Sequence, residues 1–309
     1  MMIMVKGLRK AFRKHVVLDG IDLNVPQGSI FALLGPNGAG KTTTVQILST
    51  LIRADAGQVQ IAGHDLNKEA EAVRAVIGVT GQFSAVDNVL TGEENMMLMA
   101  NLRQLQPKEG RRRTADLLQR FELTDAANKP ASTYSGGMRR KLDLAMSLIG
   151  NPQLIFLDEP TTGLDPRSRK MLWDSIRTLA SSGITILLTT QYLDEADRLA
   201  DRVAVLDKGK LVVEGTPNEL KRRMPGGHVQ LEFADLPTLK QAAQLFDIAW
   251  DTHSDSADAH TLKVALTDTI TSLRTILERL DMAAITITGL AVQTPTLDDV
   301  FLAYTAQSN

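Results

Sequence analysis

The chain has 309 residues, 43% hydrophobic and 23% charged, enough for one large globular domain and a small one. Its 34 basic and 36 acidic residues leave a net charge of −2, so the chain as a whole makes no electrostatic case for nucleic acid or anionic lipid as a partner. It contains no cysteine, which excludes disulfides and thiolate metal centres.

Met1 to Arg9 mixes apolar and basic residues and lacks a signal-peptide core. No apolar run nears the roughly 18 residues of a membrane span. A cytosolic location fits, and any membrane role is expected to be exercised from the surface. Residues 1–34 alternate as strands do, with Val16–Leu18 and Ile21, Leu23 and Val25 read as two short antiparallel strands. Ser29–Leu34 reads as a buried strand. A helix over Thr42–Leu51 and strands at Val59–Ile61 and Val76–Thr80 follow. From residue 83 to about 150 the spacing turns helical: Glu93–Leu105, Gly110–Phe121 and Gly137–Ile149, punctuated by Pro107 and Pro130.

Leu154–Leu157 predicts a strand, Arg167–Ser181 a helix, Ile184–Thr189 a buried strand and Leu193–Leu199 a helix. Val203–Asp207 and Leu211–Glu214 flank Lys208-Gly209-Lys210, a hairpin signal. Met224-Pro225-Gly226-Gly227 breaks the pattern. Beyond it come strand 228–233, helix 237–246, strands 248–253 and 260–266, helix 268–280 and strand 284–292. That βαββαβ order is expected of a ferredoxin-like module, with a last helix near Leu297–Tyr304.

Gly35-Pro36-Asn37-Gly38-Ala39-Gly40-Lys41-Thr42 matches the phosphate-loop pattern between a predicted strand and a predicted helix. Its glycines let backbone amides turn inward around phosphate oxygens, and the following helix adds its amide-rich N-terminus. Lys41 is expected to reach the β- and γ-phosphates of ATP, and Thr42 to ligate Mg²⁺; Thr43 continues the nucleotide-binding turn. Leu154 to Leu157 runs into Asp158-Glu159-Pro160, an apolar strand ending in two carboxylates. Asp158 is placed to hold Mg²⁺, and Glu159 to orient and deprotonate the attacking water. Ser135-Gly136-Gly137 begins 23 residues before Asp158; Ser135 is a good N-cap, and small residues permit close approach to an anion.

With that turn at that distance, the chain resembles the ATP-binding subunits of ABC transporters over about residues 2–222. The resemblance implies a P-loop α/β core with an N-terminal antiparallel β-subdomain and a helical insertion, followed here by a small α+β module. It implies that Ser135, Gly136 and Gly137 face the γ-phosphate bound to a second copy in a head-to-tail dimer. It assigns Gln82 to Mg²⁺ and to the root of the insertion, Asp165 in Gly163-Leu164-Asp165-Pro166 to the dimer interface, and Phe12 to adenine stacking. Where the family has a γ-phosphate histidine this chain has Gln191, which can donate a hydrogen bond but cannot carry charge or shuttle a proton. The burden of base catalysis therefore falls on Glu159.

Tyr134 to Arg140, Gln191-Tyr192-Leu193 and Pro295 to Leu302 narrow the resemblance to daunorubicin- and doxorubicin-resistance ATP-binding subunits. An ATPase domain over 1–222, with its insertion at about 83–150, and a regulatory or dimerisation module over 225–309 are expected. The implied partners are a second copy and a separate transmembrane permease, with the ATPase on the cytoplasmic face of the membrane. Import, a non-transport role in DNA repair or translation, and ATP-binding regulation are the alternatives. The short spacing between Lys41 and Ser135, without sustained heptads, argues against the coiled coils of repair types. The five histidines lack metal-ligand spacing, and aromatic content of 4% offers no stacking platform for single-stranded nucleic acid.

Overall fold

The N-terminal alternation folds back on itself: Ile3–Phe12 (β1) and His15–Val25 (β2) pair antiparallel, with Phe12 opposite His15. The two short strands expected between residues 16 and 25 are one continuous strand. The reversal is made earlier, at Arg13 with φ 57°, and Gly20 with φ 76° absorbs a register shift within β2. Ile30–Leu34 (β3), every residue buried, runs into a glycine-rich turn and helix Lys41–Leu48 (α1). Ala56–Ile61 (β4) and His64–Asp65 (β5) complete a four-stranded antiparallel sheet in the order β2-β1-β4-β5. Ala70–Val76 (α2) then leads into Ile77–Thr80 (β6).

The insertion comprises Gly92–Leu102 (α3), Pro107–Arg120 (α4) and Gly136–Leu148 (α5), which pack on one another. The chain re-enters the core as Leu154–Asp158 (β7), Pro166–Ser181 (α6), Thr185–Thr190 (β8), Leu193–Leu199 (α7), Arg202–Asp207 (β9) and Lys210–Gly215 (β10). These strands form a six-stranded sheet in the order β10-β9-β3-β8-β7-β6, parallel except for the antiparallel edge β10. β3, β7 and β8 are buried along their whole length, as expected of strands covered on both faces. One apolar core joins the antiparallel sheet, α1 and the parallel sheet, through Leu8, Leu23, Phe31, Ile47 and Phe156 among others.

The computed structural model describes residues 1–82, 84–224, 227–248, 260–266 and 269–306. They divide into two compact units, the first ending at Pro217 and the second beginning at Asn218. After Pro217–Arg222 (α8), the second unit has a three-stranded antiparallel sheet of His228–Glu232 (β11), Thr261–Ala265 (β12) and Gly289–Gln293 (β13), ordered β12-β11-β13. Leu236–Leu245 (α9) and Thr269–Met282 (α10) build its core, with Val229, Leu231, Leu239, Ile276 and Leu280 buried together; Leu297–Ala306 (α11) is the last described element. The strand expected at 248–253 lies outside the described residues from 249 onward. The strand expected at 284–292 is confined to β13. Ala284, with φ 53°, closes α10, and Ile285 N donates back to Leu280 O at 3.0 Å, so these residues finish a helix.

Candidate functional site

The strand order places the carboxyl ends of β3, β8, β7 and β6 side by side on one edge of the parallel sheet. That edge is where open α/β sheets bind ligands. β8 lies between the other two decisive strands and stitches them: Gly35 N donates to Thr190 O at 3.2 Å, and Glu159 N donates to the Thr189 carbonyl at 3.2 Å and its hydroxyl at 3.0 Å.

The loop Gly35 to Gly40 leaves no room for a side chain at its two ends. A Cβ on Gly35 would lie 2.3 Å from Leu206 O, and one on Gly40 2.6 Å from Leu18 Cδ2. Gly40 also sits at φ 109°, outside the range of other residues, and caps α1. Lys41 folds back over the loop, 5% exposed, donating to Gly35 O at 2.7 Å and Pro36 O at 3.0 Å. Its Nζ lies 3.5 Å from Glu159 Oε1. Burial pushes the Lys41 ammonium below its ordinary pKa, opposed by attraction to Glu159 and Asp158.

Thr42 Oγ1 donates to Asp158 Oδ1 at 3.2 Å, and Thr189 Oγ1 donates to the same oxygen at 2.5 Å. Asp158 is 3% exposed, and Glu159 follows it at φ 48°, a left-handed conformation uncommon for a non-glycine residue. A cleft of 440 Å³ opens over this edge. It gathers Phe12, Asn37, Gly38, Gly40, Lys41, Thr42, Thr43, Gln82 and Glu159 from the residues singled out in the sequence, and adds His15 and Val17 from β2. Gly35, Pro36 and Ala39 lie in the loop behind them, while Asp158 meets the cleft through Thr42. Gln191 follows Thr190 at the end of β8 and is not among the lining residues.

Ser135, Gly136, Gly137 and Asp165 also lie outside the cleft lining, and they cluster with one another. Ser135 caps α5 by accepting from Met138 N at 3.2 Å. Asp165 caps α6 by accepting from Arg167 N and Ser168 N, both at 3.0 Å. A Cβ on Gly137 would lie 2.7 Å from Ser168 Oγ, so the two helix N-termini abut, with Ser135 and Asp165 exposed. Tyr134 is buried beneath the turn and its hydroxyl donates to Ala126 O at 2.7 Å.

Two residues were given no individual role in the sequence reading. Arg140, on α5, reaches the carbonyls that follow β6 and β7. Glu195, on α7, is fully buried and accepts from Trp173 Nε1 at 2.9 Å. Burial pushes the Glu195 carboxyl above the usual carboxylate range, against the pull of Thr190, Trp173 and Thr161. The carbonyls that Arg140 reaches lie 18 to 59 residues away, at spacings no local pattern encodes.

Residues 18–162 match the ABC transporter family, and residues 215–305 match the C-terminal domain of DrrA1-3-like ATP-binding proteins. The chain is 46% identical to the daunorubicin resistance ATP-binding protein DrrA3 of Streptomyces coeruleorubidus, over 98% of this chain and 95% of that protein. The chain belongs to the ATP-binding subunits of ABC transporters. Within them it falls in the daunorubicin/doxorubicin-resistance branch: the DrrA protein of Streptomyces peucetius is 44% identical over 97% of this chain and 91% of its own. A solved ATP-binding subunit of an ABC transporter superposes with a TM-score of 0.65 at 30% identity, covering 72% of this chain and 93% of that one. An ATP-binding cassette solved as a dimer, in a post-hydrolysis state with ADP and Pi, matches at TM-score 0.63 and 25% identity, over 70% of this chain and 98% of that one. The subunit is therefore a nucleotide-binding, ATP-hydrolysing P-loop enzyme. No helix among the described residues is long and apolar enough to cross a membrane.

Proposed function

We propose that this ATPase drives export of a drug-like or lipid-like compound through a separate membrane subunit, working as a head-to-tail pair from the cytoplasmic face. The observation that carries the reading is the convergence of Lys41, Thr42, Asp158 and Glu159 at one sheet edge, with Lys41 Nζ 3.5 Å from Glu159 and Thr42 Oγ1 3.2 Å from Asp158.

In this reading the loop amides and Lys41 bind the β- and γ-phosphates, and incoming phosphate replaces Glu159 and the loop carbonyls as the partner of the Lys41 ammonium. Phe12 stacks on the adenine at the mouth of the cleft, where it is 48% exposed. Mg²⁺ fits the donors present: a hydroxyl and a carboxylate oxygen, both hard, so that the ion would be shared with phosphate and water. Thr42, Asp158 and Gln82 would hold the ion, which supplies neutralisation of charge on the transferring phosphoryl group. Glu159 orients the attacking water and accepts its proton. Gln191 donates a hydrogen bond toward the γ-phosphate without taking a proton.

Ser135 and Gly136, exposed, and Gly137 next to them, all outside the cleft of their own chain, serve the nucleotide of the second copy, with Asp165 beside them at the interface. The export assignment follows the relatives: proteins named for daunorubicin, doxorubicin and linearmycin resistance match this chain. The C-terminal module over residues 225–309 regulates or stabilises the pair. Steady-state phosphate release tests the catalytic assignment. Glu159→Gln should bind ATP as the parent does and lose at least ~100-fold in turnover; undiminished release would sink it.

A further inference from the structure

Arg140 sits on α5 five residues after Ser135, and its guanidinium is spent almost entirely on backbone carbonyls of other segments. Nε donates to Pro160 O at 2.8 Å, and Nη2 donates to Asp158 O at 3.3 Å and Glu159 O at 3.2 Å. Nη1 donates to Gly81 O at 3.1 Å and to Asp143 Oδ2 at 3.3 Å. Asp143, itself 3% exposed, accepts from Ala85 N at 3.3 Å on its other oxygen. One side chain therefore spans the end of β7 and the residue before Gln82.

The carbonyls it holds surround Glu159, whose φ of 48° is an uncommon conformation for a residue other than glycine. Arg140, its side chain 11% exposed, pairs with Asp143 and directs four further hydrogen bonds to the turn that carries Glu159 and to the residue preceding Gln82, so it ties two catalytic segments to α5 at once. The helix it rides on carries Ser135 at its exposed N-terminus.

We infer that Arg140 is a positioning residue that couples the two ATP sites of the pair, by locking the helix that serves the partner's nucleotide onto the catalytic strand end of its own chain. The inference rests on the head-to-tail reading above. ATP engaged by Ser135 of one chain pulls on α5; through Arg140 the same pull fixes Asp158, Glu159 and Gly81 in that chain's own site. Filling one site then organises the other.

The test is phosphate release against ATP concentration on the full chain. The parent should be sigmoidal, with a Hill coefficient near ~2. Arg140→Gln paired with Asp143→Asn avoids an uncompensated buried carboxylate. It should give a hyperbola, a Hill coefficient of ~1 and a kcat about tenfold lower, with half-saturating ATP moved less than about 3-fold. Asp143→Asn alone keeps the four carbonyl bonds and should stay cooperative. Arg140→Lys keeps the charge but gathers its donors on one atom; it should lose cooperativity in milder form, and decides the matter should the double variant not fold. A cooperative double variant, or a parent with a coefficient of 1, overturns the inference. ATP-driven dimerisation of Glu159→Gln, read by sedimentation, separates the two failures. A chain that stays monomeric with ATP overturns the pairing and the coupling with it; a dimer beside unchanged cooperativity overturns the coupling alone.

Discussion

At Gly35 the backbone passes so close to Leu206 that a methyl group would meet its carbonyl at 2.3 Å. The obstacle is backbone, so relief requires moving β3 or β9. Gly35→Ala should destabilise the protein by about 1–3 kcal/mol and impair nucleotide binding, read from urea midpoints and ATP titration. Glu195 makes a prediction of opposite sign. Its carboxyl is raised by burial, so its favourable contribution is complete below the unfolded carboxylate value of about 4.3 and fades as pH rises toward the folded value. Glu195→Gln removes that proton linkage and should gain on the parent as pH rises, by at most about 1.4 kcal/mol per pH unit. Denaturation at pH 4 and pH 8 checks it; an equal difference at both would contradict it. The phosphate loop and the Asp158-Glu159 pair are legible in the sequence because phosphate chemistry demands fixed residue types at short spacing. Arg140 is not, since its value lies in carbonyls of Gly81 and Pro160 that only the folded sheet brings to it.

Among the elements, α3 shows how local chemistry sets a boundary. Thr91 Oγ1 accepts from Glu94 N at 3.2 Å while Glu94 Oε2 accepts from Thr91 N at 2.8 Å, a reciprocal cap. Thr91→Ala should cost about 1 kcal/mol and loosen the start of the insertion, as measured by amide exchange of α3. The Thr91 to Glu94 spacing is present in the sequence and would have started the helix at Gly92. α2 was not legible: it has seven residues, with Val73 buried and Val76 packed against the core, and so short an apolar run does not tell a helical period from a strand. The continuous β2 was hidden for a different reason. Asp19-Gly20 looks like a turn, yet Gly20 serves as an irregularity inside a strand, and paired β1 decides which. Buried strands β3, β7 and β8 were plain, because a parallel sheet covered on both faces writes itself as unbroken apolar runs.

Taken as a whole, each chain carries a cleft built for nucleotide and, away from its lining, an exposed pair of helix caps at Ser135 and Asp165. The second unit has its own core of Val229, Leu231, Leu239 and Ile276. Deleting residues 225–309 should therefore leave ATP affinity of the remaining chain within about 3-fold while weakening ATP-driven pairing. Unchanged pairing and transport would remove the regulatory role of that unit. The central claim, that each ATP site is completed by another copy, is tested most directly by mixing two dead variants. Lys41→Met spoils the cleft and spares the Ser135 turn; Ser135→Arg does the reverse. In a symmetric pair each mixed dimer regains one intact site, so an equimolar mixture should recover phosphate release up to about a quarter of the parent rate. A mixture as inactive as either variant alone would contradict the account.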